Sequence, residues 1–547
     1  MAIRDNPIAA AAMGINTALY KTLTFGVSAL YTGVAGALGA IVVQFVAPDS
    51  FSFLLSVSFL VGLVIGGIGS IPGCLVAGLF VLFVPNIAER VSTGLAGAVY
   101  GVIRHPADRH LCHADRHCRL CATCPRALVT VAKTRREVPM KRLTRRTILA
   151  AAPSILTVAS LPARAAKKYD TGATDTEIKI GNTCFYTGPA SSYGTIGKAM
   201  SAYYKMINDQ GGVNGRKITF LSYDDAYSPP KTVEQTRRLV EQDGVFLMAS
   251  PLGTPTNSAT QHYLNQKKVP QLFVATGATK WDDPKHFPWT IGWQPNYQGE
   301  GRIYASYILK ERLNGKVGVL YQNDDFGKDY LKGVKDGLGD KVKAMFAVEA
   351  SYETTDPTVD SLIVSMKATG CDVFVNTAIP KFAAQAIRKA AELDWKPLHI
   401  VSSVGNSVAT VLKPAGLENS KDLISDFYLK DPTDPQWKDD EGYKWWLGLM
   451  EKYYPEGDKT DVFNVYGPSV AATTVQVLKM CGDQLTRENV MQQAASLHDF
   501  TVPMLLPGIK INTSPTDFAP VKQVQMGRFN GERWQLFGEL ITGAVNG

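Results

Sequence analysis

The sequence predicts an α/β protein built from two doubly wound lobes and preceded by an α-helical transmembrane fragment. Three observations carry that expectation. From Thr176 onward short β-rich runs alternate with helical stretches, the pattern of a parallel sheet with crossover helices. The alternation pauses near Trp293 and then restarts, which implies a second lobe of similar size. Ahead of both, the chain up to Val102 is strongly apolar, so the mean hydropathy of −0.04 averages over two different solvents.

The apolar part comes first. Residues 22–46 and 51–69 carry no ionisable side chain other than Tyr31, over about the 20 residues that a bilayer-crossing helix needs. Both are expected to span a membrane, and residues 72–84 (PGCLVAGLFVLFV) to form a tilted or re-entrant stretch. Gly33, Gly36 and Gly39, with Gly66, Gly67 and Gly69, would let such helices approach closely.

At Arg104 the composition changes. Residues 103–139 lack apolar periodicity, and within them Cys118, Cys121 and Cys124 with His105, His110, His113 and His117 supply the ligand types of a zinc site. Zinc sites are framed by two separated pairs, whereas these cysteines stand in consecutive triplet steps beside many Arg. An irregular joint is expected, and no metal. Residues 140–146 (MKRLTRR) and 147–161 then read as the positive and apolar regions of a secretory signal, closed by Ala163-Arg164-Ala165. Cleavage before Ala166 would leave a mature chain of residues 166–547. The pair Arg145-Arg146 also approximates a twin-arginine export signal.

Charge follows the same division. Residues 1–166 hold 16 Lys and Arg against 6 Asp and Glu, whereas the remainder holds 41 against 43. The larger part therefore offers phosphate backbones no basic face, which excludes nucleic acid as its partner. Only Cys184, Cys371 and Cys481 fall within it, too few for a disulfide framework.

In the first lobe the strands are expected at residues 178–185, 217–224, 245–249 and 271–275, with helices at 197–210, 232–242 and 258–266. The second series reads as helix 297–312, strand 317–322, helix 330–337, strand 342–350, helix 358–369, strand 373–376, helix 382–392 and strand 398–402. Two such lobes joined at their edges leave a cleft at the carboxyl ends of the strands, where ligands of these sheets sit.

The lobes carry no enzyme signature. Neither a G-x-G-x-x-G nor a P-loop follows a first strand, which removes a nucleotide-binding dehydrogenase or kinase. No G-x-S-x-G elbow and no Cys beside a His completes a nucleophilic triad. His262, His286, His399 and His498 are scattered without a metal spacing. Asp224-Asp225, Asp282-Asp283 and Asp324-Asp325 fall at strand ends or in loops, where Asp starts turns and caps helices. No catalytic residue, metal or cofactor is expected.

Residues 178–194 (IKIGNTCFYTGPASSYG) and 211–225 (GGVNGRKITFLSYDD) resemble the branched-chain amino-acid (Leu/Ile/Val-binding) type of periplasmic substrate-binding protein from ABC transporters. KVPQLFVATGA at 268–278, GVLYQNDDFGKDY at 318–330 and PTDFAPVKQVQMGRFNGERW at 515–534 carry the resemblance to the end. It implies a type I periplasmic-binding-protein fold, with lobe 1 from residues 176–296 and 427–520 and lobe 2 from residues 297–426 and 521–547. Three hinge crossovers would lie near residues 294–297, 425–428 and 520–524, with Gln294, Tyr297 and Asp426 on them. Residues 1–102, opening NPIAAAAMGINTALY, resemble the C-terminal part of the permease subunit of the same transporter class. Residues 6–17 would there be the cytoplasmic loop that touches the ATPase, although the family pattern has Glu where Ala11 stands.

By the same resemblance the first lobe's loops would grip a ligand carboxylate at Thr254, Ala275, Thr276, Gly277 and Ala278. The chemistry agrees, because a helix N-terminus beside Thr hydroxyls is an anion site. Tyr193 and, from the second lobe, Phe326 would stand as aromatic walls. Where amino-acid-binding members carry a Tyr and an acid for the α-ammonium, this sequence has Ile379 and Val404. A buried ammonium without a counter-charge is costly. Unless Glu349, Asp356 or another acid substitutes, the expected ligand is a carboxylate with an apolar or aromatic body. The resemblance thus implies a periplasmic protein that closes on a small molecule and delivers it to permease subunits and, through them, an ATPase. An extracytoplasmic sensor of the same fold and an enzyme on two α/β lobes are the competing readings. Were residues 1–139 retained, residues 22–84 would hold the chain in the inner membrane.

Overall fold

The computed structural model describes residues 17–43, 73, 78 and 167–543. Apart from Gly73 and Gly78, the later apolar stretches, the Arg/His/Cys joint and the signal-like segment with Ala163, Ala165 and Ala166 lie outside the described residues. The first apolar stretch forms helix α1, Thr17–Val43, with Leu23, Phe25, Leu30 and Tyr31 exposed. Among the described residues no helix is long and apolar enough to cross a membrane.

Residues 167–543 are organised by two sheets. In the first, β1 (Glu177–Cys184), β2 (Lys217–Asp224), β3 (Leu247–Ala249), β4 (Gln271–Val274) and β5 (Thr290–Gly292) are parallel in the order β2-β1-β3-β4-β5. The second repeats that order as β7-β6-β8-β9-β10, with β6 Val317–Gln322, β7 Phe346–Tyr352, β8 Val373–Thr377, β9 Leu398–Val401 and β10 Ile424–Phe427. Two antiparallel strands, β11 (Gln523–Phe529) and β12 (Trp534–Thr542), extend its edge beyond β10. Strands β3, β4 and β8 are buried at every position, as parallel strands covered on both faces must be.

The crossovers are α2 (Gly194–Asp209), α3 (Pro229–Arg237), α4 (Thr254–Gln266), α5 (Tyr297–Glu311), α6 (Asp325–Leu338), α7 (Asp360–Ala368) and α8 (Pro380–Glu392). Several start before the apolar repeat does. Helix α4 begins at Thr254 rather than 258, α6 at Asp325 rather than 330 and α8 at Pro380 rather than 382. Their first turns are built from Thr, Pro, Asp and Gly, which open a helix without adding to its buried stripe. Residues Val342–Met345, expected to open a strand, instead form a helical turn before β7.

The chain passes between the sheets after β5, after β10 and before β11. Residues between the second and third passes return to the first lobe, where α9 (Phe463–Cys481) packs along α2. Arg487 fastens this return by donating to the carbonyls of Val245 and Phe246 at 2.8 and 2.9 Å. At the first and third passes the backbones touch, Val521 N donating to Trp293 O at 3.2 Å. Trp293 is fully buried there, its indole donating to Thr473 at 3.0 Å and its ring meeting Tyr428 and Tyr466 at 6.1 and 5.1 Å between centroids. Trp293→Ala is expected to cost about 3–5 kcal/mol, read as a lower urea midpoint with an unchanged m-value.

Candidate functional site

A cavity opens where the carboxyl ends of the two sheets face each other. The first lobe contributes Phe185 after β1, Tyr227 after β2, Thr254 after β3, Ala275 and Thr276 after β4, and Gln294 after β5. The second contributes Phe326 after β6, Ile379 after β8, Val404 after β9 and Asp426 within β10. About 90 Å³ is open to the centre of a water molecule, where one water needs roughly 10–15 Å³ on that measure. That is room for a small organic molecule.

Local geometry sets each wall. Gly253, with φ +88°, leads into α4, and a Cβ there would meet Phe185, Thr256 and Tyr227 at 2.5, 2.7 and 2.8 Å. Glycine is what lets the loop pass beneath those two rings. Asn257 folds back to donate to the carbonyls of Pro251 and Gly253 at 2.8 and 2.7 Å, and Thr256 donates to Leu252 O. The start of α4 is thereby fixed, with the Thr254 hydroxyl bonded to that of Thr276. In the second lobe Asp324 caps α6 by accepting from Phe326 N and Gly327 N at 3.0 and 3.2 Å, which sets Phe326 on its first turn. Ile379 caps α8, and its N–H donates to the Tyr352 hydroxyl at 3.0 Å.

Hydrogen bonds span the cleft. The Tyr193 hydroxyl donates to Val404 O at 2.8 Å, and Gln322 Nε2 donates to the Tyr227 hydroxyl at 2.8 Å. Ser407 Oγ donates to Asp461 at 3.0 Å. On the rim, Thr279 N donates to Asp329 at 2.6 Å and Lys280 pairs with Asp325 at 3.0 Å. The two lobes are therefore closed on each other.

No Lys, Arg or His stands among the described lining residues. Burial raises the hydroxyls of Tyr193, Tyr227 and Tyr297, so they act as neutral groups. Asp426 is the one acid among the described lining residues, and burial pushes its carboxyl up to about 6. Behind it Glu300 is held well above the ordinary carboxylate range by burial and then by the Asp426 charge. The pair receives hydrogen bonds from Tyr304 to Asp426 and from Tyr330 and Ser403 to Glu300. Asp461, beside the lining residues Val462 and Phe463, is pushed up to about 7 by burial.

Of the nine positions carried over by resemblance, Tyr193, Thr254, Ala275, Thr276, Phe326, Ile379 and Val404 line this one cavity. Gly277 and Ala278 do not. Gly277 O accepts from Tyr297 N at 2.8 Å, and a Cβ on Gly277 would lie 2.3 Å from Pro295 O, so this residue packs against the first crossover. Gln294, Tyr297 and Asp426, read from sequence as hinge residues, also line the cavity. The proposed substitute acids do not. Glu349 pairs with Lys335 at 2.7 Å, and Asp356 accepts from Glu353 N at 2.8 Å. Phe185, Tyr227, Phe463 and Tyr466 were not read as lining residues. Phe185 and Tyr227 had a usable signal, since Phe185 ends one predicted strand and Tyr227 closely follows another.

Residues 177–533 match the family described as "Periplasmic binding protein". The chain belongs to that family. Its members bind substrates for transport rather than forming an enzyme family, and the binding protein is the substrate-capturing component of an ABC importer of the branched-chain amino-acid class. Residues 1–103 separately match "Branched-chain amino acid transport system / permease component". Leu/Ile/Val-binding protein homolog 1 of Brucella suis is 22% identical over 324 residues, covering 58% of this chain and 82% of that one. The structure of a branched-chain amino acid ABC transporter protein from Thermus thermophilus with bound valine is similar at TM-score 0.62 and 17% identity, over 67% of this chain and 97% of that one. A solute-binding protein from Rhodopseudomonas palustris in complex with 3,4-dihydroxy benzoic acid gives TM-score 0.57 and 18% identity, over 67% and 98%.

In this binding protein the Tyr193 hydroxyl joins the lobes inside the cavity itself. Tyr193→Phe deletes that bond and keeps the ring. It is expected to weaken ligand affinity about 2- to 12-fold, the equivalent of one net hydrogen bond, by titration calorimetry with a ligand that binds the parent.

Proposed function

We propose that this binding protein captures a small carboxylate with an apolar or aromatic body in the periplasm and passes it unchanged to the permease. The observation that carries this reading is the lining of the cavity: nine of its 23 described residues are aromatic and none is cationic. The carboxylate would lie at the start of α4, between the Thr254 and Thr276 hydroxyls and the backbone N–H groups that a helix leaves unpaired. Ala275 would let it approach. Tyr193, Phe326, Ile379 and Val404 would enclose the body, and closure of the lobes presents the form that a permease recognises. Valine and 3,4-dihydroxy benzoic acid, the ligands of two proteins of similar fold, both carry a carboxylate.

Residues 140–165 would direct export and leave Ala166 as the first mature residue. The permease-like stretch, with α1, would tether the lobes to the membrane's outer face only in a chain that keeps it. No ligand chemistry is assigned, since the family is one of transport proteins.

The reading is tested by thermal shift of the purified protein against aliphatic acids, aromatic carboxylates, branched-chain amino acids and the matching amides. A true ligand at about 100 times its Kd adds about 2.7 kcal/mol to stability. Carboxylates are expected to raise the melt and the amides to leave it unmoved, with Thr276→Val abolishing most of the shift. Amides as effective as acids would overturn the carboxylate assignment.

A further inference from the structure

Among the described residues, the second-lobe wall of the cavity hides two acids and no base. Glu300 on α5 and Asp426 on β10 are 1% and 0% exposed. The groups that face them are neutral hydrogen-bond donors: the hydroxyls of Tyr304, Tyr330 and Ser403. Tyr297 and Tyr428 stand nearby as further phenols. Three carboxyl oxygens are thereby satisfied, and Asp426 Oδ2 is left buried without a donor.

The pair also separates two spaces. Asp426 and Ser403 line the ligand cavity. Glu300 lines a second cavity on the hinge side, of about 350 Å³ on the same measure, together with Asp282, Asp517 and Lys522. The one cation among its described lining residues, Lys522, is paired with Asp517. Asp282 accepts from Phe518 N at 2.6 Å and is raised by burial, so it adds no compensating charge.

Two carboxylates in contact, buried and without a cation, do not both ionise. We infer that Glu300 and Asp426 hold one proton between them, filling the open acceptor on Asp426, and that this proton is a determinant of which anions the cavity retains. With it the wall carries a single negative charge. Without it the wall carries two, and a ligand carboxylate entering the closed cleft would be the third in a low-dielectric space. The cavity therefore accepts a monocarboxylate, is eased by a ligand that also bears a positive group, and rejects a dicarboxylate. This rests on the carboxylate reading above but is separable from it.

The sign follows from linkage. A carboxylate ligand favours the protonated pair, so affinity is highest where the pair keeps its proton and falls as pH rises through the loss of it, by up to about tenfold per pH unit. Without ligand, the folded state binds this proton more tightly than the unfolded chain does. Stability therefore falls as pH rises from the ordinary carboxyl range to the raised value of the pair, then levels.

The experiment is titration of the purified protein with a binding carboxylate from pH 5 to 9, beside ligand-free melts over the same range. The parent is expected to lose affinity at alkaline pH, and Glu300→Gln, whose amide offers N–H donors without an ionisable proton, to flatten both profiles. Asp426→Asn is expected to flatten them too and to let the dicarboxylate of the same skeleton bind. Should neither variant fold, proton uptake by the parent on binding at alkaline pH, read from calorimetry in buffers of different ionisation enthalpy, decides the matter. Parallel profiles for parent and Glu300→Gln, or no proton uptake by the parent, would overturn the shared proton. The melts need no ligand, so a failed carboxylate reading leaves them informative.

Discussion

Parallel strand direction is the constraint on which the site depends. Because all five strands of the first sheet and β6 to β10 of the second run parallel, the loop after each leaves at one edge of its sheet. Both sheets also reverse their order beside the first strand, which parts the loops and opens a crevice. With the two edges turned toward each other, residues as distant as Phe185 and Phe463 meet in one cavity. No local motif encodes such a site. It exists only once the crossovers at 293–297, 428 and 521 hold the edges in register, which is why Trp293, packed behind the lining residues Tyr428 and Tyr466, and its backbone partner Val521 matter to it.

The cavity handles charge without side-chain cations. A helix N-terminus is equivalent to about half a positive charge, and two threonine hydroxyls add donors that carry no charge of their own. The buried tyrosines stay neutral because burial raises them. On the proposed reading such a site would hold an anion by oriented dipoles, whose worth grows as closure expels water. Opening lets water back in and weakens the same dipoles, so one surface can grip when shut and release when open. The bonds across the cleft divide accordingly. Tyr193 to Val404 and Gln322 to Tyr227 lie within the wall, whereas Lys280 to Asp325 lies on the rim, where solvent screens it.

Much of this was legible in the sequence, and the gaps have physical causes. The alternation of strand and helix located β1, β2, β4, β6 and β8 to within two residues, helped at β4, β6 and β8 by the near-continuous apolar runs of buried parallel strands. Helix starts were misplaced where Thr254, Asp325 and Pro380 open a helix without joining its apolar stripe. Thr254, Thr276, Tyr193 and Phe326 could be placed because they sit at strand ends or beside motifs with a resemblance to rest on. Phe463 and Tyr466 could not, since α9 is reached only after the second crossover and its pairing with the first lobe is a tertiary fact. The expectation that the wall lacks an acid turned on Ile379 and Val404. Asp426 stood in view as a hinge residue, but its neighbour Glu300 is 126 positions away and nothing in their spacing ties them.

That neighbour changes what the acid means. A lone Asp426 would be a ready counter-charge for an ammonium, and an Asp paired with Lys or Arg would be a neutral strut. Paired with Glu300 and ringed by Tyr304, Tyr330 and Ser403, it holds half of one shared negative charge, which still favours a positive group on the ligand. Phenols and a serine stabilise one negative charge shared over four oxygens, and they do so without bringing in a cation that would compete for the ligand carboxylate. Replacing either acid by an apolar residue would strand the hydroxyls that now donate to it, at the cost of leaving buried polar groups unpaired. The wall thus keeps its hydrogen bonds and its single charge together at the edge of the cavity that Asp426 lines. Discrimination of this kind is between net charges rather than shapes, and it leaves the aromatic lining free to set the size and form of the molecule that fits.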